Sequence, residues 1–391
     1  MIEFKQALQI VLDSARPLGS ERVDLNQALN RVLAEDVPSD MDMPPFDKSK
    51  VDGYACRRAD LSRELVVVET IPAGTQPTRQ IAPGQCAKIM TGAVVPPGAD
   101  CVVMIEQTEQ TGDGRIRFTT NETPDNIFPK AQDVRQGQVV LPRGARIGPQ
   151  YVAVLASVGR VRPVVAKLPR VAVVAGGDEL VDPGVKPGPS QIRNSNSAQL
   201  ISQLGAMGIA AHDYGAVKDV AAEVARVLKA AFAENDVVLV SGGVSVGDFD
   251  LVPSILKQLG VKLLFEKIAV KPGKPTIFGL AESGYCFGLP GNPVSTFVIF
   301  ELFVKPFLYR LMGCDYTPVE VQMRLSEPVS RKDTERQEWI PVKIVSREEV
   351  RPVEYHGSGH ILALCQADGL IRMEIGVSRI EKAEQVSVTL S

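Results

Sequence analysis

Residues 242–250 read Gly-Gly-Val-Ser-Val-Gly-Asp-Phe-Asp and directly follow the apolar run 237–241. Glycines at 242, 243 and 247 let backbone N–H groups approach an anion closely, and the start of a following helix adds a favourable partial charge. Ser245 can donate to a phosphate oxygen. Asp248 and Asp250 repel phosphate, so their use would be to hold a Mg²⁺ that bridges to it. Asp248 taken alone serves equally well as a helix N-cap. The whole segment is much harder to explain as capping.

Two further polar, glycine-bearing segments follow apolar runs in the same way. Gly176-Gly177-Asp178-Glu179 follows 171–175, and Leu289-Pro290-Gly291-Asn292-Pro293 follows 285–288. Ligands of open parallel sheets bind at such carboxyl edges. A cationic stretch, Lys267-Ile268-Ala269-Val270-Lys271-Pro272-Gly273-Lys274-Pro275, lies between the second and third segments. In an extended strand Lys267, Ala269 and Lys271 share one face, and two aligned ammonium groups call for an anion between them. The rigid 272–275 turn separates this stretch from an ordinary solvated face. Asp47-Lys48-Ser49-Lys50-Val51-Asp52-Gly53-Tyr54-Ala55 is, on residue chemistry alone, a turn with a candidate ligand.

The elements that must position these residues change texture along the chain. Helical periodicity runs over 4–18 and 26–33 and breaks at Pro38, Pro44 and Pro45. From 46 to 136 come short β-rich runs (65–70, 85–90, 101–107 and 115–120) with Gly-Pro turns between them, the pattern of a small all-β module. After a short helix at 150–155, strands at 171–175, 209–214 and 236–241 alternate with helices at 197–207 and 221–233. Strands apolar on both faces alternating with helices predict a doubly wound, mostly parallel sheet. A helix at 294–311 closes that unit, and short strands at 320–325, 339–345 and 370–374 form a last β module. The expected organisation is therefore an elongated helical and mixed domain from 1–45 and 137–168, an inserted β domain at 46–136, an α/β domain at 169–313 and a C-terminal β domain at 314–391.

Bulk composition narrows the function. At 391 residues the chain has room for two or three domains. A formal net charge of -3 gives no blanket cationic field for coating nucleic acid. No apolar run reaches the roughly 20 residues that span a bilayer, and the first 15 residues lack a signal core. The six cysteines are scattered without a C-x-x-C pair, which predicts reduced, mostly buried thiols rather than a disulfide frame or a zinc site. A reducing cytoplasm is the expected setting.

Taken in order, the segments 46–55, Ile89-Met90-Thr91-Gly92-Ala93, Gly177-Asp178-Glu179-Leu180, 242–250, 271–275, 288–293 and Gly357-Ser358 resemble the molybdopterin molybdenumtransferase family, which includes the E domain of the scaffold protein gephyrin. The resemblance covers essentially the whole chain. It implies an enzyme that takes adenylylated molybdopterin and molybdate, cleaves the adenylate in a Mg²⁺-dependent step, and releases molybdenum cofactor and AMP. It further implies an elongated homodimer whose clefts lie between the α/β domain of one subunit and the inserted β module of the other. The residues that match family positions for activity or binding are Asp52, Thr91, Asp133, Glu179, Asp219, Asp250, Lys267, Lys271, Pro290, Pro293 and Ser358.

With that frame, Asp52, Glu179, Asp250, Lys267 and Lys271 are the expected catalytic set. Glu179, Asp248 and Asp250 are the expected Mg²⁺ ligands. Thr91, Asp133, Asp219, Gly242, Gly243, Ser245, Gly247, Lys274, Pro290, Gly291, Asn292, Pro293 and Ser358 are expected around the substrate. Departures from the family pattern are Ala175 and Gly176 in place of hydroxyl residues, Lys48, Lys50 and Val51 around Asp52, and Asn194 where Asp is common. Three rival readings stand beside this one: insertion of tungstate, adenylylation of molybdopterin itself, and a gephyrin-like scaffold that binds a partner. The adenylyltransferase would also be a natural partner, while nucleic acid and membrane are not expected.

Overall fold

The computed structural model describes residues 1–244 and 251–390. The first helix, α1 (Phe4–Ser14), buries Ala7 and Val11 and stops short of the expected 18. Pro17 disfavours helical backbone at the residue before it, which ends the helix early. The helix expected at 26–33 does not form. A single 3₁₀ turn, Leu25–Gln27, gives way to Asn30 in the left-handed region (φ 64°) and to β-bridges from Val32 to Arg146 and Leu33 to Val165. Val32 and Leu33 are buried by that pairing, so tertiary contacts overrode local helical preference.

The inserted module is a six-stranded sheet in the order Cys101–Met104, Gly53–Cys56, Gln85–Ile89, Glu64–Ile71, Arg115–Phe118, Thr108–Gly112. Its strand Gly53–Cys56 pairs antiparallel on both sides. A Cβ at residue 53 would lie 1.9 Å from the Val103 carbonyl oxygen, so Gly53 lets the neighbouring strand come this close. That packing fixes where Asp52 leaves the sheet. Helix α2 (Pro149–Ser157) then leads into the central domain.

The central sheet comprises β1 (Val171–Gly176), β2 (Ala211–Val217), β3 (Val237–Ser241), β4 (Lys262–Phe265), β5 (Ile277–Ala281) and β6 (Gly284–Leu289), ordered β2-β1-β3-β6-β5-β4. The first four are parallel; β5 and β4 run antiparallel to their neighbours at one edge. Both faces are covered. Val171, Val173, Val237 and Leu239 pack under α3 (Ser195–Ala206), while Ala172, Val174, Val238 and Val240 pack under α4 (Ala221–Glu234) and α5 (Val252–Gln258). That two-sided burial explains the unbroken apolar runs in the sequence.

The helical stretch expected at 294–311 is α6 (Pro293–Ile299), a π-helical segment Phe300–Val304, and α7 (Lys305–Leu311). Pro306 lacks the N–H for an i→i−4 bond, and a π segment just before it absorbs the mismatch without ending the helix.

In the C-terminal module, strands Glu320–Leu325, Gln337–Ile344, Glu349–Pro352, Gly369–Met373 and Gln385–Leu390 pair in a closed ring around Leu325, Val342, Val350, Ile371 and Val388. The two-residue strand Val270–Lys271, from the central domain, pairs in parallel with Gln337 and Glu338 of this barrel. All six cysteines are free thiols, four of them buried, and among the described residues no helix is long and apolar enough to cross a membrane.

Candidate active site

The order in which strands are added switches at β1: the next strand, β2, lies on one side of it and β3 on the other, all three parallel. A crevice must open where the loops leaving these strands part. A cleft of about 540 Å³ occupies that place, lined by Gly176, Glu179, Asp219, Gly242, Pro290 and Asn292 among others. The three glycine-bearing segments predicted from the sequence therefore meet at one sheet edge.

Backbone packing holds the cleft open. Gly242 has φ +89°, and a Cβ there would lie 2.3 Å from the Gly176 carbonyl oxygen. Its N–H donates to the Leu289 carbonyl oxygen at 3.1 Å. No other residue fits this crossing of the β1, β3 and β6 ends without moving them. Asn196, at the start of α3, ties the same ends with its side chain. Its Nδ2 donates to Ser241 Oγ and to the Gly291 carbonyl, each at 2.7 Å, while its buried Oδ1 has no hydrogen-bond partner among the described residues. Ser241 Oγ and Thr296 Oγ1 both donate to the Pro290 carbonyl, at 3.2 and 2.6 Å. Asn194 caps α3 by accepting the Ser197 N–H at 3.1 Å.

The acidic groups differ in restraint. Glu179 is exposed in the cleft, and its carboxylate has no hydrogen-bond partner among the described residues. Asp219 lines the same cleft, its backbone N–H donating to Asp178 Oδ1 at 3.1 Å. Ser245, Gly247, Asp248 and Asp250 lie outside the described residues.

Through Pro275, Pro290 and Asn292 the cleft continues into a second hollow of about 470 Å³. Lys271, Lys274, Ser295, Arg336, Tyr355 and Ser358 line it. Asn292 Nδ2 donates to Ser358 Oγ at 2.8 Å, and the Ser358 carbonyl accepts the Val294 N–H at 3.1 Å, so the loop carrying Ser358 is clamped to the start of α6. Burial pushes the Tyr355 hydroxyl up to about 12, with the nearby Glu338 charge acting the same way.

Lys267 does not join Lys271 as expected. The extended segment is only Val270–Lys271, and the chain doubles back so that the Ile268 N–H donates to the Lys274 carbonyl at 3.0 Å. Ile268, Ala269 and Val270 are all buried, which breaks the alternation that would align Lys267 with Lys271. Lys267 is exposed and lines neither hollow. Nor does Lys271 wait for an external anion, because Glu338 of the barrel pairs with it at 2.9 Å. Arg336, Ser295, Tyr355 and Asn196 were not foreseen. Arg336 and Tyr355 come from the C-terminal module, whose contact with this edge has no local sequence signal.

Asp52 and Thr91 come together in the inserted module. Asp52 Oδ1 accepts the Thr91 N–H at 2.6 Å and the Thr91 hydroxyl at 2.9 Å. Those bonds, the backbone one foremost, hold the Asp52 carboxyl below the usual carboxylate range. Asp133 is exposed, its N–H donating to the Met43 carbonyl at 2.9 Å. No residue of 46–136 lines the central cleft of this chain among the described residues.

Three family models match in succession: the MoeA N-terminal region (domain I and II) over residues 2–159, the probable molybdopterin binding domain over 172–310, and the MoeA C-terminal region (domain IV) over 323–391. A Staphylococcus aureus protein named molybdopterin molybdenumtransferase is 34% identical over 404 residues, spanning 100% of this chain and 96% of that protein. The chain belongs to the molybdopterin molybdenumtransferase family. A Staphylococcus epidermidis protein of the same name is 33% identical with the same coverage. The fold agrees with the crystal structure of a molybdopterin biosynthesis MoeA protein from Pyrococcus horikoshii, at TM-score 0.86 and 30% identity, covering 100% of both chains.

Proposed function

We propose that this chain inserts molybdate into adenylylated molybdopterin, releasing AMP and the molybdenum cofactor, as a homodimer in the cytoplasm. The observation that carries this reading is the joined pair of hollows. A roomy, glycine-edged cleft at a parallel-sheet switch point suits a bulky phosphorylated pterin, and the cationic, serine-lined hollow beside it suits a small oxyanion. The two substrates would then lie side by side with Pro290 and Asn292 between them.

The chain's own groups divide the work. Backbone N–H groups at the ends of β1 and β3 approach the phosphates, and the Asn196 clamp keeps those ends from spreading. Lys271, Lys274 and Arg336 neutralise the oxyanion, while the Ser295 and Ser358 hydroxyls supply directional donors. Water made as oxygens leave the metal needs protons, and ammonium and hydroxyl donors stand in the hollow to relay them. Glu179 and Asp219 offer oxygen ligands suited to Mg²⁺, which would neutralise the substrate's pyrophosphate and polarise phosphorus; Asp250 and Asp248 are proposed to complete that set. Asp52, Thr91 and Asp133 do not reach the cleft of their own chain. The reading assigns them to the cleft of the facing subunit, and Lys267 to the approach path.

The test is a purified reaction of this chain with adenylylated molybdopterin, Mg²⁺ and molybdate, followed by reconstitution of a cofactor-free molybdoenzyme. The expected outcome is AMP release that depends on molybdate, together with recovered enzyme activity. Formation of adenylylated molybdopterin from molybdopterin and ATP, with no insertion, would overturn the assignment. Running tungstate in competition with molybdate reads the oxyanion preference directly.

A further inference from the structure

The cationic hollow brings its own negative charge. Glu338 is 8% exposed, and its Oε1 accepts from Lys271 Nζ at 2.9 Å while Oε2 lies 3.5 Å from Arg331 Nη1. The contact is built into the sheet register: Lys271 and Glu338 are direct partners across the parallel ladder that joins the central domain to the barrel. Arg331 does not depend on Glu338, because its guanidinium also donates to the carbonyls of Arg336, Glu374 and Val377. Lys271 has no other ion-pair partner among the described residues. Arg336 is paired as well, with Asp333 at 2.8 Å, which leaves Lys274 as the cation of this hollow without a carboxylate partner among the described residues.

An anion entering this hollow therefore meets two cations that are already matched, Lys271 and Arg336, beside the unmatched Lys274. A buried carboxylate next to a doubly charged oxyanion is repulsive, and the oxyanion must draw Lys271 away from Glu338 or share it. We infer that Glu338 is a positioning residue that turns oxyanion capture into an exchange of partners at Lys271. The fixed carboxylate holds the ammonium aimed at the hollow when no oxyanion is bound. It also weakens the hold on any tetrahedral dianion, so that abundant ones such as sulfate leave readily. This inference rests on the reading of the hollow as the oxyanion seat.

The test is calorimetric titration of the full-length protein with sodium molybdate and, separately, sodium sulfate at fixed ionic strength and neutral pH. Glu338→Gln removes the competing charge and is expected to bind both anions about fivefold or more tighter, with the KM for molybdate falling and kcat not rising. A purely structural role for Glu338 predicts the opposite sign, weaker binding and a raised KM, and that result or unchanged affinity overturns the inference. Glu338→Asp keeps the charge but shortens its reach to Lys271; it is expected to tighten binding by a smaller factor, and it carries the test if Glu338→Gln does not fold. If wild type and variants all fail to bind either anion, the oxyanion seat itself is wrong and the inference falls with it. Detectable wild-type binding that does not tighten in the variants overturns only the role of Glu338.

Discussion

Asp52 in the inserted module and Glu179 in the central cleft are both exposed carboxylates on loops, yet they are held in opposite ways. Asp52 accepts two hydrogen bonds from a single residue, Thr91, which hold its carboxyl below the usual carboxylate range. Glu179 has no such restraint among the described residues and is free to turn toward whatever cation or substrate arrives. A pre-set charge suits a group delivered to a site from outside, because no neighbour in that site has to orient it. An adaptable carboxylate suits a ligand of a metal that arrives with its substrate. If the two loops do different work, as the proposed function has it, the contrast can be broken experimentally.

The largest effect expected is on turnover. Asp52→Ala and Glu179→Ala should each lower kcat about 100-fold or more with the fold intact, as loss of a charged active-site group commonly does. If the two carboxylates act from different subunits, mixing the inactive variants restores activity. Random pairing makes half the dimers mixed, each with one intact site of two, so recovery approaches about a quarter of wild type. No recovery on mixing would place both groups in one chain's site and end the comparison. Next comes Gly242→Ala, whose Cβ would meet the Gly176 carbonyl oxygen at 2.3 Å. It should cost about 2–4 kcal/mol in denaturant unfolding, because neither the left-handed backbone nor the clash is relieved locally.

Thr91→Val sharpens the Asp52 side of the contrast. It removes the hydroxyl donor and leaves the backbone donor, so the Asp52 carboxyl should rise part of the way toward the ordinary value of 3.8. The folded-state value is depressed; its stabilising effect is therefore present above the unfolded value and is lost as pH falls through the folded one. If turnover needs ionised Asp52, the acid limb of the kcat profile moves to higher pH in Thr91→Val. An unmoved limb would show that Asp52 is not the group that titrates.

Much of the central domain could be read from sequence because two signals coincide there. Apolar runs such as 171–175 mark strands buried on both faces, and the glycine-bearing segments after them mark their carboxyl edge. The inserted sheet was visible in the same way through its short runs and turns. The failures have a common cause. Leu33 and Val32 look helical locally but are fixed by bridges to residues more than a hundred positions away. Lys267 shares a face with Lys271 only in a straight strand, and here the Ile268 N–H turns back onto the Lys274 carbonyl. Arg336 and Glu338 reach the hollow through the pairing of Val270–Lys271 with the barrel, a long-range register that no local pattern encodes.

Asn194 tests how much weight a departure from a family pattern deserves. It stands where Asp is common, so the charge an Asp would carry is missing here. In the structure Asn194 is buried at the start of α3, with Oδ1 accepting the Ser197 N–H at 3.1 Å and Nδ2 donating to Ser197 Oγ at 2.9 Å. Asn and Asp are nearly equivalent as N-caps, and the helix N-terminus together with the Ser197 N–H and hydroxyl would offset the cost of a charge at this buried position. Asn194→Asp should therefore change stability by less than about 0.5 kcal/mol and leave the KM for the pterin substrate unchanged. A clear drop in KM would instead mean that the added charge is felt in the cleft, which Asn194 also lines, and would move this residue from the scaffold into the substrate site.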